Sequence, residues 1–576
     1  MEFEVFKTEI LVDIKEKKKH CLKKIEKNKE LIQSNIGEEG DLKKINTFVN
    51  DLNIIIFELK KFNLIESVLK HPFFSKVLEA FRNSNILIEA CKAKKKIALK
   101  WLLTMDINPC VQDDKGMTAL MYAAESNLLF FVVQDLVKKD NCINLLDTNG
   151  DNALYHALDN VEALKELVKT DIDANCKHDG ENLLLYCCKN DIFSPIKALV
   201  SSSNIDVNVV DKEGKTAAMY LAVKGREKEF ESLCIKETCN FDYRNEDNES
   251  VLSILIQKLY VEYSDLFPHY LRMIAMLVKS NCNFNLPVDN IGNSALMAFM
   301  IIGDYYSSYY IAKYNPSIDL TVKNQFGENP SSLCIKLKDN ENLLKTFKSL
   351  PTFDVNYIDP NTNNTMLMLC SMKGDATFVT ELIENNVNII NDVNNRNENS
   401  LILATKFSKI AVVETLLKHG IFVNQQDYLG NTALYYAVDL NNIRLIKLLL
   451  KYKADMNIKN NEGVSTLNYA HSIADKNILN ILTNPDDNSS SIIDSKVVSE
   501  ENKPENKYRE TFEYLYPCIN NDYPKFEMTY PIECLLRSIY SGELGRLNYP
   551  EAALDVLPYI GNAGSSSVPL YSEFKY

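Results

Sequence analysis

An all-α solenoid of helix-turn-helix units, joined by β-turn or hairpin loops, is expected from three features of the 576-residue chain. A short string recurs at a nearly fixed period. Between its copies, apolar residues fall at helical spacing. The composition, 46% hydrophobic and 25% charged, is that of a chain able to bury a core. A helical cap is expected before the repeats and a largely irregular tail after them.

The N-terminal region, residues 1–84, comes first. Leu42, Ile45, Val49, Leu52, Ile56 and Leu59 alternate at three and four residues, which places them on one helical stripe. The preceding Lys15 to Glu30 reads as a charged helix carrying Ile14, Leu22 and Ile25 along its apolar side. A coiled coil with a partner would use such a stripe. A cap folded onto the first repeat through Phe73, Phe74, Val77 and Phe81 explains it more simply, because the open end of a repeat array needs covering. Residues 1–100 hold 21 Lys+Arg against 15 Asp+Glu, whereas the rest of the chain holds 43 against 63. A mildly basic head therefore precedes an acidic body. The basic run Lys92 to Lys100 reads as a solvated helix face, since no aromatic residues interleave with it as they do in nucleic-acid binding segments.

The repeats fill residues 85–483. The recurring string is an Asp, two residues, a Gly, and two positions later Thr, Ser or Asn followed by small and apolar residues. It reads Asp113-x-x-Gly116-x-Thr118-Ala119-Leu120-Met121-Tyr122-Ala123 and returns at Asp147, Asp211, Asp289 and Asp427. Weaker copies centre on Gly180, Asn248, Gly327, Asn363, Glu398 and Gly463. The step from Asn248 to Gly292 is stretched, and the others average about 34 residues. The hydroxyl or amide after the turn can cap a short first helix, and small residues such as Ala123 and Ala157 let that helix pack closely. A second helix follows, clearest in Val412-Val413-x-x-Leu416-Leu417 and Leu445-Ile446-x-Leu448-Leu449-Leu450. It should end at a left-handed residue, Gly420 in one repeat and Asn141, Asn281 and Asn386 in others.

The string and its period resemble the ankyrin repeat, in about eleven divergent copies over Asn85 to Leu482. The family's T-P-L-H signature is eroded. Its Pro survives only as Pro330, and its His is replaced throughout, by Met121, Tyr155, Leu185, Met219, Ser253, Met297, Ser332, Met368, Leu403, Tyr435 and Asn468. Without that His, apolar packing is expected to carry more of the cohesion between repeats. The resemblance implies a curved surface that binds another protein, with the turn residues flanking the Gly projecting toward it. Those positions are Asp114, Lys115 and Met117, then Lys212, Glu213 and Lys215, then Gln325, Phe326 and Glu328, and then Tyr428, Leu429 and Asn431. Ile291, Phe326, Tyr428 and Leu429 stand out, because large apolar side chains on turn tips point to a contact.

The stretched repeat holds an insertion near residues 257–271 with Tyr260, Tyr263, Phe267 and Tyr270, and the next repeat adds Tyr305, Tyr306, Tyr309, Tyr310 and Tyr314. Packing of a longer helix explains these aromatics. An aromatic contact patch including Tyr260, Tyr263, Tyr309 and Tyr310 is the functional reading. After the repeats, residues 484–507 are polar and read as a disordered linker. Residues 508–576 form a Tyr/Pro-rich arm, since Tyr516-Pro517, Tyr523-Pro524 and Tyr530-Pro531 bias each Tyr toward extended backbone.

No catalytic constellation is present: no Gly-rich phosphate loop closed by Lys-Ser/Thr, no HExxH, no GxSxG and no kinase signature set. His178 with Cys187 and Cys188 has poor metal-ligand spacing and reads as two buried thiols near a surface histidine. No catalytic residue, cofactor or metal is expected. The 14 Cys show no pairing pattern, so reduced thiols in the cytoplasm, or alternatively the nucleus, are expected. No run approaches the roughly 18 apolar residues of a membrane span, and the acidic Met1-Glu2-Phe3-Glu4 start is unlike a secretory leader. The leading function is a non-catalytic scaffold or adaptor whose acidic body favours partner proteins with basic segments, without nucleic acid. A regulatory subunit for membrane trafficking or small-GTPase control, touching a membrane peripherally, is the second reading. A nuclear cofactor of transcription regulators is the third.

Overall fold

The computed structural model describes residues 2–483, except 38–39, 140–141, 179, 261–265, 281, 338–340, 386–388 and 474. The expected linker, the Tyr/Pro-rich arm and the helix-ending residues Asn141, Asn281 and Asn386 lie outside the described residues. The described residues form two compact units, those within Met1–Asn240 and Arg244–Asn248 and those within Phe241–Tyr243 and Glu249–Tyr576.

Helices dominate both units, and the reason is local. In eight turns the leading Asp or Asn folds its Oδ1 back onto the amides two and four residues on. Asp113 accepts from Lys115 and Met117 at 3.0 Å each. The same pair of bonds recurs at Asp147, Asp211, Asp289, Asn324, Asn394, Asp427 and Asn460. This side-chain turn competes well against regular structure, and the positive φ it demands falls on Gly, as at Gly116 with φ 72°. Gly116 has a second reason to be Gly, since a Cβ there would lie 2.9 Å from the Cα of Asp147 in the next turn.

Two residues after the Gly, a side chain caps the first helix of the repeat. Thr118, Asn152, Asn182, Thr216, Ser294, Asn329, Thr365 and Asn399 all accept from an amide in the first turn of their helix. The hairpin between turn and cap is minimal. Gln112 to Thr118, Val210 to Thr216, Pro287 to Ser294, Ile358 to Thr365 and Lys459 to Ser465 each make a single bridge, and among the described residues only Lys177–His178 with Glu181–Asn182 reaches two-residue strands. The stretched repeat still forms a helix pair, Val251–Tyr260 and Phe267–Lys279, and the next repeat forms Ala295–Ile302 and Tyr305–Tyr314.

The first helices are buried almost all round, and the second helices bury one stripe. Val412, Val413, Leu416 and Leu417 are buried, as are Leu445, Ile446 and Leu449. The helix carrying Val412 to Leu417 ends just before Gly420, which has φ 80° as the sequence requires. At the eroded His position, Met121, Leu185, Met219, Met297, Met368 and Leu403 are buried. Met fills irregular gaps between helices without a polar atom to satisfy.

The N-terminal region is helical: α1 (Phe3–Lys15), α2 (Cys21–Lys27), α3 (Lys29–Ile36), α4 (Leu42–Ile56), α5 (Asn63–Leu69) and α6 (Ser75–Arg82). These lead into the first repeat pair, α7 (Ile86–Lys92) and α8 (Lys96–Leu102). Ile45, Val49, Leu52, Ile56 and Leu59 are buried as the stripe predicts, but Leu42 stands 69% exposed at the first position of α4. The expected single helix over Lys15 to Glu30 is broken twice, by Lys17 at φ 59° and at Asn28. The cap is docked on the first repeat. Phe62 stacks on Trp101 at 4.6 Å, Phe81 lies 6.2 Å from the same ring, and the Asn108 amide donates to the Arg82 carbonyl at 2.8 Å. Phe73 takes no part in this seam and instead packs between His71 and Lys29.

The side chains of Cys110 and Cys142 meet between two consecutive repeats. Their Cα atoms are 5.2 Å apart, brought together by the stacking of one repeat loop on the next.

Candidate interaction face

The turn tips of successive repeats are tied edge to edge by backbone hydrogen bonds. Thr148 donates to Lys115 in the first unit. In the second unit Gln325 donates to Ile291, Asn395 to Thr362, Tyr428 to Arg396 and Asn461 to Leu429. Side chains add a rung at the outermost positions, where Asn461 Nδ2 reaches the Tyr428 carbonyl at 2.9 Å and Gln325 Nε2 reaches that of Asn290 at 2.7 Å. The row in the second unit is therefore a stiff edge, and in both units the tips present the two residues between Asp/Asn and Gly.

On that edge Asp114, Lys115, Lys212 and Glu213 are exposed in the first unit, and Gln325, Phe326, Tyr428 and Leu429 in the second. Ile291 is half-buried. Phe326 is 42% exposed, Tyr428 55% and Leu429 45%. Three expected contact residues are buried instead: Met117, Glu328 and Asn431. All three follow the Gly, and the reason is shared. At this position the amide closes the Asx turn and the carbonyl bonds back to the leading Asp or Asn, so the side chain turns into the repeat junction. Glu328 there meets Lys336 at 2.9 Å, and Asn431 Oδ1 accepts from Asn460 at 3.0 Å. Lys215 shares the position and is half-buried, with its ammonium 3.2 Å from Glu213.

The aromatic patch does not form as expected. Helices Phe267–Lys279 and Tyr305–Tyr314 do pack together, but Tyr270 and Tyr310 are core residues. Tyr309 is half-buried, and Lys313 lies over both it and the 48% exposed Tyr314. Tyr263 and the side chain of Tyr260 lie outside the described residues.

Beneath the tips runs a polar ladder that the eroded signature did not announce. The leading Asp has a second oxygen, and the residue nine positions on takes it. Tyr122 donates to Asp113 at 2.8 Å, Tyr220 to Asp211 at 2.6 Å, and Tyr436 to Asp427. In the second repeat His156 holds this position, 3.2 Å from Asp147 and 2.9 Å from Glu125 of the preceding repeat. A lysine from the previous repeat's first helix joins. Lys92 meets Asp113 at 2.9 Å, Lys189 meets Asp211 at 3.6 Å, Lys336 meets Asp359 at 2.8 Å and Lys406 meets Asp427 at 3.6 Å. The lost His network is thus partly replaced by Lys, Asp and Tyr, and apolar packing does not act alone. Burial is the largest influence on the Asp113 carboxyl and pushes it up. The hydrogen bonds from Lys92, Tyr122 and the amides of Met117 and Lys115 together outweigh burial, and it settles at about 2.

Asparagine adds a third tie. Asn144, Asn175, Asn208, Asn285 and Asn424 each accept, through Oδ1, the amide of a residue about one repeat further on. At the cap position Asn152, Asn182 and Asn399 cap their own helix and donate Nδ2 to a carbonyl of the following loop.

Among the described residues no cluster of three His, Cys, Asp or Glu is placed to hold a metal ion, and no helix is long and apolar enough to cross a membrane. Cys187 and Cys188 are fully buried, and burial pushes the Cys187 thiol up to about 12. His178 is 2.9 Å from Asp151 instead. Pro360, Asn361, Asn395 and Arg396 also stand exposed on the second unit's edge. Their turns begin with the same Asp or Asn as the others, and that residue marks them once the Gly is no longer required.

The family model described as "Ankyrin repeats (3 copies)" matches residues 87–178, 129–211, 158–247 and 332–427, and the model described as "Ankyrin repeat" matches 429–461. No curated protein matches the chain. The matched residues make up about half of the sequence, and with the stacked turn, cap and helix-pair units around them they place the chain in the ankyrin repeat family.

Proposed function

We propose that this protein is a non-catalytic scaffold or adaptor that captures a partner protein along the turn edge of its second unit. Ankyrin repeats are protein-interaction modules. One observation supports this edge in particular: Phe326, Tyr428 and Leu429 hold large apolar side chains in water, on backbone locked by Asx turns and neighbouring tips. A rigid aromatic or aliphatic group pays little ordering entropy on binding, which is why such residues dominate binding energy. The surrounding amides of Gln325, Asn395 and Asn461 supply a polar rim. With so few charges on this edge, the partner segment it fits is apolar with hydrogen-bonding flanks.

The test is the combined Phe326→Ala, Tyr428→Ala and Leu429→Ala variant of the full chain. Partner capture should fall by about tenfold or more, with an unchanged melting profile. Unchanged capture would remove this edge from the interface, and loss of the folded state would show the three residues to be structural.

A further inference from the structure

The N-terminal end of the first unit carries a second surface. Helices α1 and α4 run side by side in the same direction, because Lys7 meets Asp51 at 2.9 Å and Lys15 meets Glu58 at 2.5 Å. That arrangement brings the loop after α1 next to the loop after α4. The stack of Phe62 on Trp101 then brings the C-terminal turn of α8 to the same end, and Lys96 lies five residues before that Trp on the same short helix. Lysines converge there: Lys17 and Lys19 from the first loop, Lys60 and Lys61 from the second, and Lys96 at the start of α8, all exposed.

The acidic groups of this end are already engaged. Glu16 pairs with Lys18, Glu58 with Lys15, and Glu66 with Lys70 and the Trp101 indole. Lys17, Lys19, Lys60, Lys61 and Lys96 make no ion pair with any described residue, so they leave a net positive field. Three large aliphatic side chains stand beside them in water. Val12 is 42% exposed, one turn before Lys15. Ile54 is 66% exposed, one turn before Glu58. Ile97 is 62% exposed, next to Lys96.

We infer that this end of the first unit docks on an anionic lipid surface. The chemistry separates that partner from other acidic ones. Every cation on the surface is a lysine, a point charge that responds to a diffuse negative potential, without the guanidinium fork that fixes phosphodiesters or carboxylates two-pronged. The only Arg among the first 100 residues, Arg82, is committed to the Met105 carbonyl and Asp106. Nucleic acid would call for exposed aromatic platforms, and Phe62 and Trp101 are buried against each other. Protruding aliphatic side chains beside the cations suit the boundary between headgroups and acyl chains, and lysines plus apolar contacts are the two signals that stable peripheral binding needs. The acidic remainder of the chain does not cancel the attraction. Beyond a Debye length of about 8 to 10 Å its repulsion is screened.

The experiment is cosedimentation of the full chain with phosphatidylcholine vesicles, either alone or with about 30% phosphatidylserine, in about 0.1 M salt. Binding should require phosphatidylserine. It should fall by roughly fivefold for each lysine lost in a Lys17→Ala, Lys60→Ala and Lys61→Ala series. Ile54→Ser with Ile97→Ser should weaken binding several-fold at unchanged charge, and the melting profiles of all these variants should match the parent. Equal recovery on both vesicle types, no recovery on either, or tighter binding to a DNA duplex or a polyglutamate peptide than to the anionic vesicles would each overturn the inference. The Phe326, Tyr428 and Leu429 triple variant should bind vesicles like the parent, so failure here and failure of the second unit's edge are read separately.

Discussion

The two units use one junction device at two depths. In the first, Lys189 reaches Glu181 and Asp211 with its side chain 37% exposed, and Lys92 reaches Asp113 at 35%. In the second, Lys336 is 1% exposed between Glu328 and Asp359, and Lys406 is 12% exposed between Glu398 and Asp427. The tips run the other way. Asp114, Lys115, Lys212, Glu213, Glu246 and Asp247 put charge on the first unit's edge, where the second unit shows Phe326, Pro360, Tyr428 and Leu429 among amides. Tip charge is therefore denser in the first unit, and junction charge is more deeply buried in the second. The same residue types at the same repeat positions carry different energetic weight, because water screens an exposed pair and cannot reach a sealed one.

The largest effect should come from breaking the sealed site. Lys336→Ala leaves the Glu328 and Asp359 carboxylates buried near each other without their cation, at a cost of about 3 to 5 kcal/mol. Urea unfolding would register it, and hydrogen exchange would place the loss in residues 324–370, in the second unit. A cost below about 1 kcal/mol would mean that depth is not what separates the units. Next in size is Tyr436→Phe. It removes the hydroxyl that donates to Asp427 inside the same unit, a hydrogen bond to a charged group, and should cost about 2 kcal/mol by the same measurement.

Acid should act on both units. Asp113, Asp211 and Asp359 all have carboxyls held below the ordinary range. For each, burial is the largest influence and opposes the shift, and neighbouring donors and lysines outweigh it. A depressed folded-state value contributes stability that is fully present above the unfolded value of about 3.9 and is lost as pH falls through the folded one. Stability should therefore be level down to about pH 5 and decline toward the value of about 2 set by Asp113. The urea midpoint across that range tests it. A level profile down to pH 2 would show that the ladder carboxylates contribute nothing.

What the sequence made legible follows from range. Turn, cap and helix pair are set within a dozen residues, so Asp113, Gly116, Thr118 and Ala123 could be read in line, and so could the stripe on α4 apart from its exposed first residue. The junction ladder could not. Lys189 and Asp211 meet only because two repeats stack, and neither residue type at that separation carries a local signal. The Asn residues that tie one loop to the next carry no local signal for the same reason. Met117 was misplaced by treating both sides of the Gly alike, when the Asx turn makes one side a tip and the other a junction. The break at Lys17 was hidden because a lysine-rich stretch has helix-forming residues but too few apolar ones to fix a register.

The smallest expected effect tests the comparison from its other side. Lys189→Ala removes the same rung as Lys336→Ala, one unit earlier, so the two substitutions form a matched pair. Water already solvates much of the Lys189 side chain, and Asp211 keeps its bonds from Tyr220 and from the amides of Glu213 and Lys215 when the lysine is gone. The expected cost is about 0 to 1 kcal/mol, and it should shrink further in molar salt, where an exposed pair is screened and a buried one is not. If Lys189→Ala instead costs as much as Lys336→Ala and resists salt, the ladder is a uniform structural element. Its depth would then be incidental, and the sparsely charged edge of the second unit would need another explanation than the retreat of its charges into the junctions.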